Sequence, residues 1–217
     1  MNEVNATGFE YRYEQKLAQE SPVKKPYLIF KRMVDFLAAL VLTVLALPIV
    51  VLFGLLVKLE TPGPMFYRQE RVGLMGRRIY VTKLRSMYSD AEKKSGAMWA
   101  QKNDARVTKV GRFIRMTRID ELPQILNVLS GEMSLIGPRP ERPAFTEQFS
   151  KEYPGFEERL LIRPGLSGWA QVTGGYEDTP DQKLEKDRYY MANVSFAMDF
   201  KIVLMTIKTV ITGEGAR

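Results

Sequence analysis

The feature that most constrains this chain is one apolar run from Val34 to Val57, VDFLAALVLTVLALPIVVLFGLLV. Asp35 and Thr43 are its only polar side chains. As a straight helix it would extend about 36 Å, against about 30 Å for the hydrocarbon of a bilayer. A membrane helix is expected; the competing reading is a helix buried in a soluble core. Pro48 lies near the centre of the run. It lacks the N–H that would bond the carbonyl of Val44, and its ring crowds that carbonyl, so a kink is expected. Basic residues flank both ends: Lys24, Lys25, Lys31 and Arg32 before, Lys58, Arg68, Arg71, Arg77 and Arg78 after. A simple span prefers positive charge on one side. Both clues favour a segment that turns back, and neither decides, because kinked spanning helices exist.

The run divides the chain. Residues 1–30 read as a polar tail, with at most a short helix around Tyr11 to Gln19. No secretory signal fits, because the apolar segment begins too far in and no small-residue cleavage site follows it. Residues 31–58 are read as the membrane segment and 59–217 as a single domain, the one expected to carry any chemistry. Thr61-Pro62-Gly63-Pro64 signals a turn. Alternating character from Met65 to Met87, broken by Gly76-Arg77-Arg78, predicts a strand pair. Short helices are expected over Ser89 to Lys94, Glu121 to Ser130 and Arg142 to Glu152. The glycine-rich stretch Leu161 to Gly175 reads as a structured loop. Near the C-terminus, Phe196, Phe200, Val203, Leu204, Ile207, Val210 and Ile211 share one face at helical spacing. That amphipathic helix is either packed on the core or laid on a membrane. The class is α+β, rich in helix.

Composition narrows the chemistry. A chain of 217 residues has no Cys and no His, which removes thiol catalysis, disulfides, the usual zinc sites and a histidine base. A net charge of +7 points to anionic partners such as head groups, phosphorylated substrates or nucleic acid. No nucleic-acid module signature is present, so nucleic acid is not expected as a partner. Carboxylates, Lys, Arg, hydroxyls and a hard metal ion remain.

The stretch Arg115 to Gly131, RMTRIDELPQILNVLSG, is the most informative. Leu122, Ile125, Leu126 and Leu129 follow a packed helix face, and Pro123 is acceptable only in the first turn. That places the helix start at Asp120 or Glu121, with Gly131 as the C-terminal cap. Asp120 then has two readings. It is a good N-cap, and Glu121 a good first-turn acid. Alternatively, two carboxylates at an anion-binding helix start, with Arg115 and Arg118 upstream, can handle a diphosphate: one attacks phosphorus while the other holds Mg²⁺. Downstream, Arg139 lies between Pro138 and Pro140, which fix its backbone and suit it to bidentate phosphate binding. Lys83 and Arg85, two apart on a presumed strand, would share a face and add positive charge.

Lys83-Leu84-Arg85-Ser86-Met87, Asp120-Glu121-Leu122-Pro123-Gln124, Asn127-Val128-Leu129, Gly131-Glu132-Met133-Ser134, Gly137-Pro138-Arg139-Pro140 and Pro164-Gly165-Leu166-Ser167-Gly168-Trp169-Ala170-Gln171-Val172 occur in this order. Together they resemble the bacterial sugar transferase family, the monotopic polyprenyl-phosphate phosphoglycosyl transferases, over roughly Lys31 to Thr212. The resemblance implies a proline-broken re-entrant helix, with the catalytic domain on the cytoplasmic face of the bacterial plasma membrane. It implies transfer of a sugar 1-phosphate from a UDP-sugar to polyprenyl (undecaprenyl) phosphate, with release of UMP, to begin a surface polysaccharide or glycan. Asp120 matches the nucleophile and Glu121 the metal-linked acid, with Mg²⁺ as cofactor. Lys83, Arg85, Arg115 and Arg139 match positive positions lining the site. A homo-oligomer is compatible with all of this. One departure is that Thr173-Gly174-Gly175-Tyr176 stands where many relatives continue with Asn-Gly-Arg, so an Arg expected at position 175 is missing; Tyr176 and Arg163 are candidate substitutes. Two rivals stay open: a membrane-associated glycosyltransferase releasing UDP, which usually carries an Asp-x-Asp motif not found here, and a non-catalytic basic membrane protein.

Overall fold

The structure is a computed structural model describing Leu17 and residues 26–91, 104–174 and 178–212. The helix expected over Tyr11–Gln19 lies outside these residues apart from Leu17, as do Gly175, Tyr176 and the second half of Ser89–Lys94; Ser89–Ala91 form a turn.

The chain is helix-rich, and its dominant element is α1, Pro26–Glu60, which continues through Pro48. It is long and apolar enough to cross a membrane. One narrow stripe of it packs against the domain. Ala39 and Ala46 meet Ile79, Val81, Ile125, Val128 and Met133, small side chains letting the elements approach closely. Further along, Val57 packs with Leu84 and Ile114, and Phe53 stacks on Phe113. The rest is bare: Leu37, Leu40, Val41, Val44, Leu45, Leu47 and Leu52 are all exposed. Apolar exposure on this scale marks a surface that another phase or molecule covers.

Both ends of α1 are tied to the same domain. At the start, Lys31 Nζ lies 2.8 Å from Asp199, and Asp35 accepts from Ser134 Oγ at 2.6 Å. At the end, Glu60 accepts the backbone N–H groups of Lys109 and Val110. Arg85 donates to the carbonyl of Val57, in the last turn of α1, and to those of Thr61 and Pro62 just beyond it.

After α1, β1 (Phe66–Val72) and β2 (Arg78–Leu84) pair antiparallel, Phe66 opposite Leu84 and Val72 opposite Arg78, as the alternation predicts. Next come α2 (Lys109–Met116), a 3-10 helix (Ile119–Gln124) and α3 (Ile125–Ser130). Gly131 closes α3 in the left-handed region at φ 86, as its cap role requires. Strand β3 (Ser134–Ile136) precedes α4 (Pro143–Glu152) and a second 3-10 helix (Phe156–Leu161). Strand β4 (Gly165–Ser167) pairs parallel with β3, and α5 (Trp169–Thr173) follows. The stretch expected as a loop from Leu161 therefore contains, over its described residues up to Gly174, a strand and a short helix. Its glycines serve close approach: a Cβ on Gly165 would stand 2.1 Å from the Gly137 nitrogen.

Helices α6 (Pro180–Asn193) and α7 (Phe196–Thr212) complete the domain. The face of α7 singled out in the sequence is the exposed one, and Met198, Asp199 and Ile202 pack inward instead. Bare apolar surface on α7 thus accompanies the bare flank of α1.

Candidate active site

The expected helix start at Asp120 or Glu121 is corrected by the structure. The 3-10 helix begins at Ile119, and Arg118, at φ 59, is the residue before it. Asp120 is inside that helix rather than capping it, and no side chain caps it. A non-glycine residue held in the left-handed region costs on the order of 1–3 kcal/mol, so surrounding packing must impose it. The consequence is positional: both acids, buried at 7% and 9% exposure, lie on one wall of a cleft.

The two acids differ in their bonds. Glu121 Oε1 accepts from Lys83 Nζ at 2.7 Å and from Arg139 Nη2, and Oε2 accepts from Arg139 Nη1 at 3.4 Å. Asp120 has no hydrogen bond or ion pair among the described residues. Burial pushes the Glu121 carboxyl upward, but Arg139 and Lys83 outweigh it and hold the group well below the usual range. Burial pushes Asp120 up to about 6, opposed by Lys83 and reinforced by the neighbouring Glu121 charge. Desolvation lowers the Lys83 ammonium, with Glu121 working the other way. Neutral pH therefore finds Glu121 locked as an anion and Asp120 ionised with no bonded partner.

The cleft has a volume of about 470 Å³ and is lined by ten Lys and Arg side chains against three carboxylates, Asp120, Glu121 and Glu141. Such an imbalance suits a polyanion. Arg115 lines it with no hydrogen bond or ion pair on its guanidinium among the described residues. Its lining includes Pro64 and Phe66, which follow the end of α1 in the chain.

All the residues expected from the sequence line this one cleft: Lys83, Arg85, Arg115, Asp120, Glu121 and Arg139. Lys83, Glu121 and Arg139 are in direct contact. Arg85 stands apart, because its guanidinium is spent on the carbonyls ending α1 and on Ser89. Sequence reasoning missed Arg71, Arg142, Arg159 and Lys183, which also line the cleft. Arg142 sits in the same proline-spaced segment as Arg139 and was within reach of the same reading. Arg159 sits in an ordinary charged stretch with no signal to mark it. Arg163, a candidate substitute for the missing Arg, donates instead to the Gly131 carbonyl.

For a metal ion the fit is partial and specific. Among the described residues, no group of three acidic ligands is gathered. Glu121 Oε2, with only its long contact to Arg139, retains lone pairs, and Asp120 is adjacent. That donor set suits a Mg²⁺ that brings phosphate oxygens with it rather than one caged by protein alone.

Comparison with known proteins matches the chain to a family. The chain is 48% identical over 194 residues to the UDP-N-acetylgalactosamine-undecaprenyl-phosphate N-acetylgalactosaminephosphotransferase of Aeromonas hydrophila, covering 88% of this chain and 46% of that protein. It is 44% identical over 191 residues to the UDP-glucose:undecaprenyl-phosphate glucose-1-phosphate transferase of Caulobacter vibrioides, covering 86% and 71%. The Escherichia coli enzyme of that same description is 40% identical over 193 residues, covering 87% and 41%. The chain thus spans less than half the length of two of these relatives. The model of the bacterial sugar transferase family matches residues 26–213, from the first residue of α1 to just past α7, and the chain belongs to that family.

Proposed function

We propose that this protein transfers a sugar 1-phosphate from a UDP-sugar to polyprenyl phosphate at a membrane surface, through two displacements at phosphorus on Asp120. The observation that carries the reading is the asymmetry of the acid pair, with Glu121 held by two cations and the Asp120 carboxyl bonded to none in a cation-rich cleft. The relatives' activities on UDP-sugars and undecaprenyl phosphate support the substrate classes.

The diphosphate enters the cleft with its charge met by Arg115, Arg139 and Lys83. A carboxylate oxygen of Asp120 attacks the β-phosphorus, the bond from that phosphorus to the bridging oxygen breaks, and UMP leaves with the electron pair. A phosphosugar-aspartyl mixed anhydride, an acyl phosphate, remains. An oxygen of polyprenyl phosphate then attacks the same phosphorus, and the Asp120 carboxylate is expelled. A nucleophile of pKa about 6 suits both halves: it is ionised at neutral pH and still a competent leaving group. Mg²⁺ bound by Glu121 and the diphosphate oxygens would neutralise charge that otherwise repels an anionic nucleophile. Lys83 and Arg139 hold Glu121 ionised and aimed.

The proposed membrane arrangement draws its support from α1. Both of its ends are fastened to one domain while Leu40 to Leu52 is largely bare, which supports a segment that dips into one leaflet and returns. The exposed face of α7 adds a second apolar contact with the same surface. We place the domain on the cytoplasmic face, where UDP-sugars are found.

Purified protein incubated with a panel of UDP-sugars and undecaprenyl phosphate tests the reaction, with UMP and UDP scored separately. UMP is expected with Mg²⁺ and none in excess EDTA. UDP in place of UMP would make the protein an ordinary glycosyltransferase. Cysteines placed at Asn5 and Ser150 of this Cys-free chain test the topology. An impermeant thiol reagent should label neither site in intact cells; labelling of the Asn5 site alone means a spanning helix, and labelling of both puts the domain on the outer face.

A further inference from the structure

The segment Pro138-Arg139-Pro140-Glu141 is clamped from four directions. Its prolines supply no N–H, so it builds no ladder of its own, yet each of its four carbonyls finds a donor. Pro138 O accepts from Gly165 N at 2.8 Å and Glu141 O from Val72 N at 2.9 Å. The central two are served by side chains: Arg71 donates to Pro140 O at 2.9 Å and Arg159 to Arg139 O at 3.0 Å. Arg159 is 5% exposed and lies 2.7 Å from Asp187, itself 1% exposed, on α6. Beneath it, Arg159 covers the Phe156 ring at 4.9 Å.

We infer that Arg159, oriented by Asp187, is a positioning residue that aims Arg139 at Glu121 and at the incoming diphosphate. This deepens the proposed transfer and rests on it for the identity of the diphosphate. Arg159 holds the backbone of the very residue whose guanidinium grips Glu121. A buried Arg–Asp pair is otherwise a poor way to fill a core, since apolar residues of similar volume do it at least as well. Misplacement of a reacting group by about 1 Å costs on the order of a hundredfold in rate. A residue that acts only through Arg139 has a distinctive signature, because its effect disappears once Arg139 is gone.

The test is a double-mutant cycle on the full chain with Arg139→Met and Arg159→Met. It is read on kcat/KM for UMP release and, separately, on the Kd for inorganic pyrophosphate. Arg159→Met alone should lower kcat/KM about a hundredfold, and Arg159→Lys, which keeps one donor, should recover most of that loss. In the Arg139→Met background, Arg159→Met should change either readout by less than about twofold. Equal effects in both backgrounds would make Arg159 a structural residue and overturn the inference. If Arg159→Met does not fold, Asp187→Asn, which keeps the shape, is carried through the same cycle with the same criterion. A wild-type protein that releases no UMP would refute the proposed reaction, while the pyrophosphate cycle would still decide the positioning role.

Discussion

Two buried clusters of charge sit in this small protein, and they are built to opposite specifications. At the root of α1, Lys31, Asp35 and Asp199 form a cluster in which every carboxylate oxygen has a partner. Asp199 accepts from the Tyr27 and Tyr190 hydroxyls, each at 2.8 Å, and Asp35 from Ser134 Oγ and the Leu135 N–H. In the cleft, Lys83, Arg139 and Glu121 are equally close-knit, but Asp120 beside them is left without a bond and faces about 470 Å³ of space. A cluster in which no carboxylate oxygen lacks a partner holds two elements together. One with a surplus carboxylate at a cavity wall leaves that group open to whatever enters the cavity. The difference lies in accounting for each oxygen, since burial of the carboxylates is similar in the two.

Substitution at the two clusters should therefore give opposite results. The largest effect is expected from Asp120→Asn, which should reduce UMP release by on the order of a thousandfold or more while the protein stays folded. Steady-state assay alongside circular dichroism checks this. Retention of even a few per cent of activity would place the nucleophile elsewhere. Asp199→Asn should do the reverse. It strands Lys31 with only the longer 3.6 Å contact to Asp35, and breaking a buried pair costs about 3–5 kcal/mol. The melting temperature in detergent should fall by on the order of 10 °C, with activity per folded molecule changed only a few-fold.

The smallest effect sharpens the comparison most. Asp120 carries a carboxyl raised to about 6 from 3.8, so the folded state holds its proton more tightly than the unfolded chain does. Its contribution to stability is greatest below 3.8, declines as pH rises towards 6 and stays lost above that. Asp120→Asn cannot ionise, so at pH 7.5 it should be more stable than wild type by roughly 1–3 kcal/mol. The gain should vanish near pH 4 in denaturant titrations. The same proton sets an acid limb near pH 6 in the wild-type rate, falling about tenfold per pH unit. A destabilised Asp120→Asn at neutral pH would mean that the carboxylate is structural, like Asp199.

How much of this was legible follows the range of the interactions involved. The apolar run, the strand pair, the Gly131 cap and the C-terminal helix are local patterns, and each reappears in the structure. Helix α6 was missed because Asp187 occupies one of its buried positions, among Leu184, Tyr190 and Met191, and hides the apolar period. The charge is there for Arg159, 28 residues earlier, and no window along the chain contains both. Helix α2 is eight residues with Gly111 inside it, needed because a Cβ there would meet the Ser86 carbonyl at 2.0 Å. The expected residues could be gathered from the sequence because their motifs carry the family resemblance, and they line one cleft. The distinction between its two acids is a matter of which cations reach Glu121 from β2 and from the Pro138–Pro140 turn, and only folding decides that.

One measurement bears most directly on the claim that Asp120 is the nucleophile. Enzyme is mixed with UDP-sugar labelled in the sugar phosphate, with Mg²⁺ and no lipid acceptor, quenched, and digested for mass spectrometry. About one UMP per active site should be released, and the label should remain on the peptide containing Asp120 until polyprenyl phosphate is added and removes it. If no UMP appears before the lipid is present and no peptide carries the label, the lipid phosphate attacks directly and Asp120 forms no covalent intermediate.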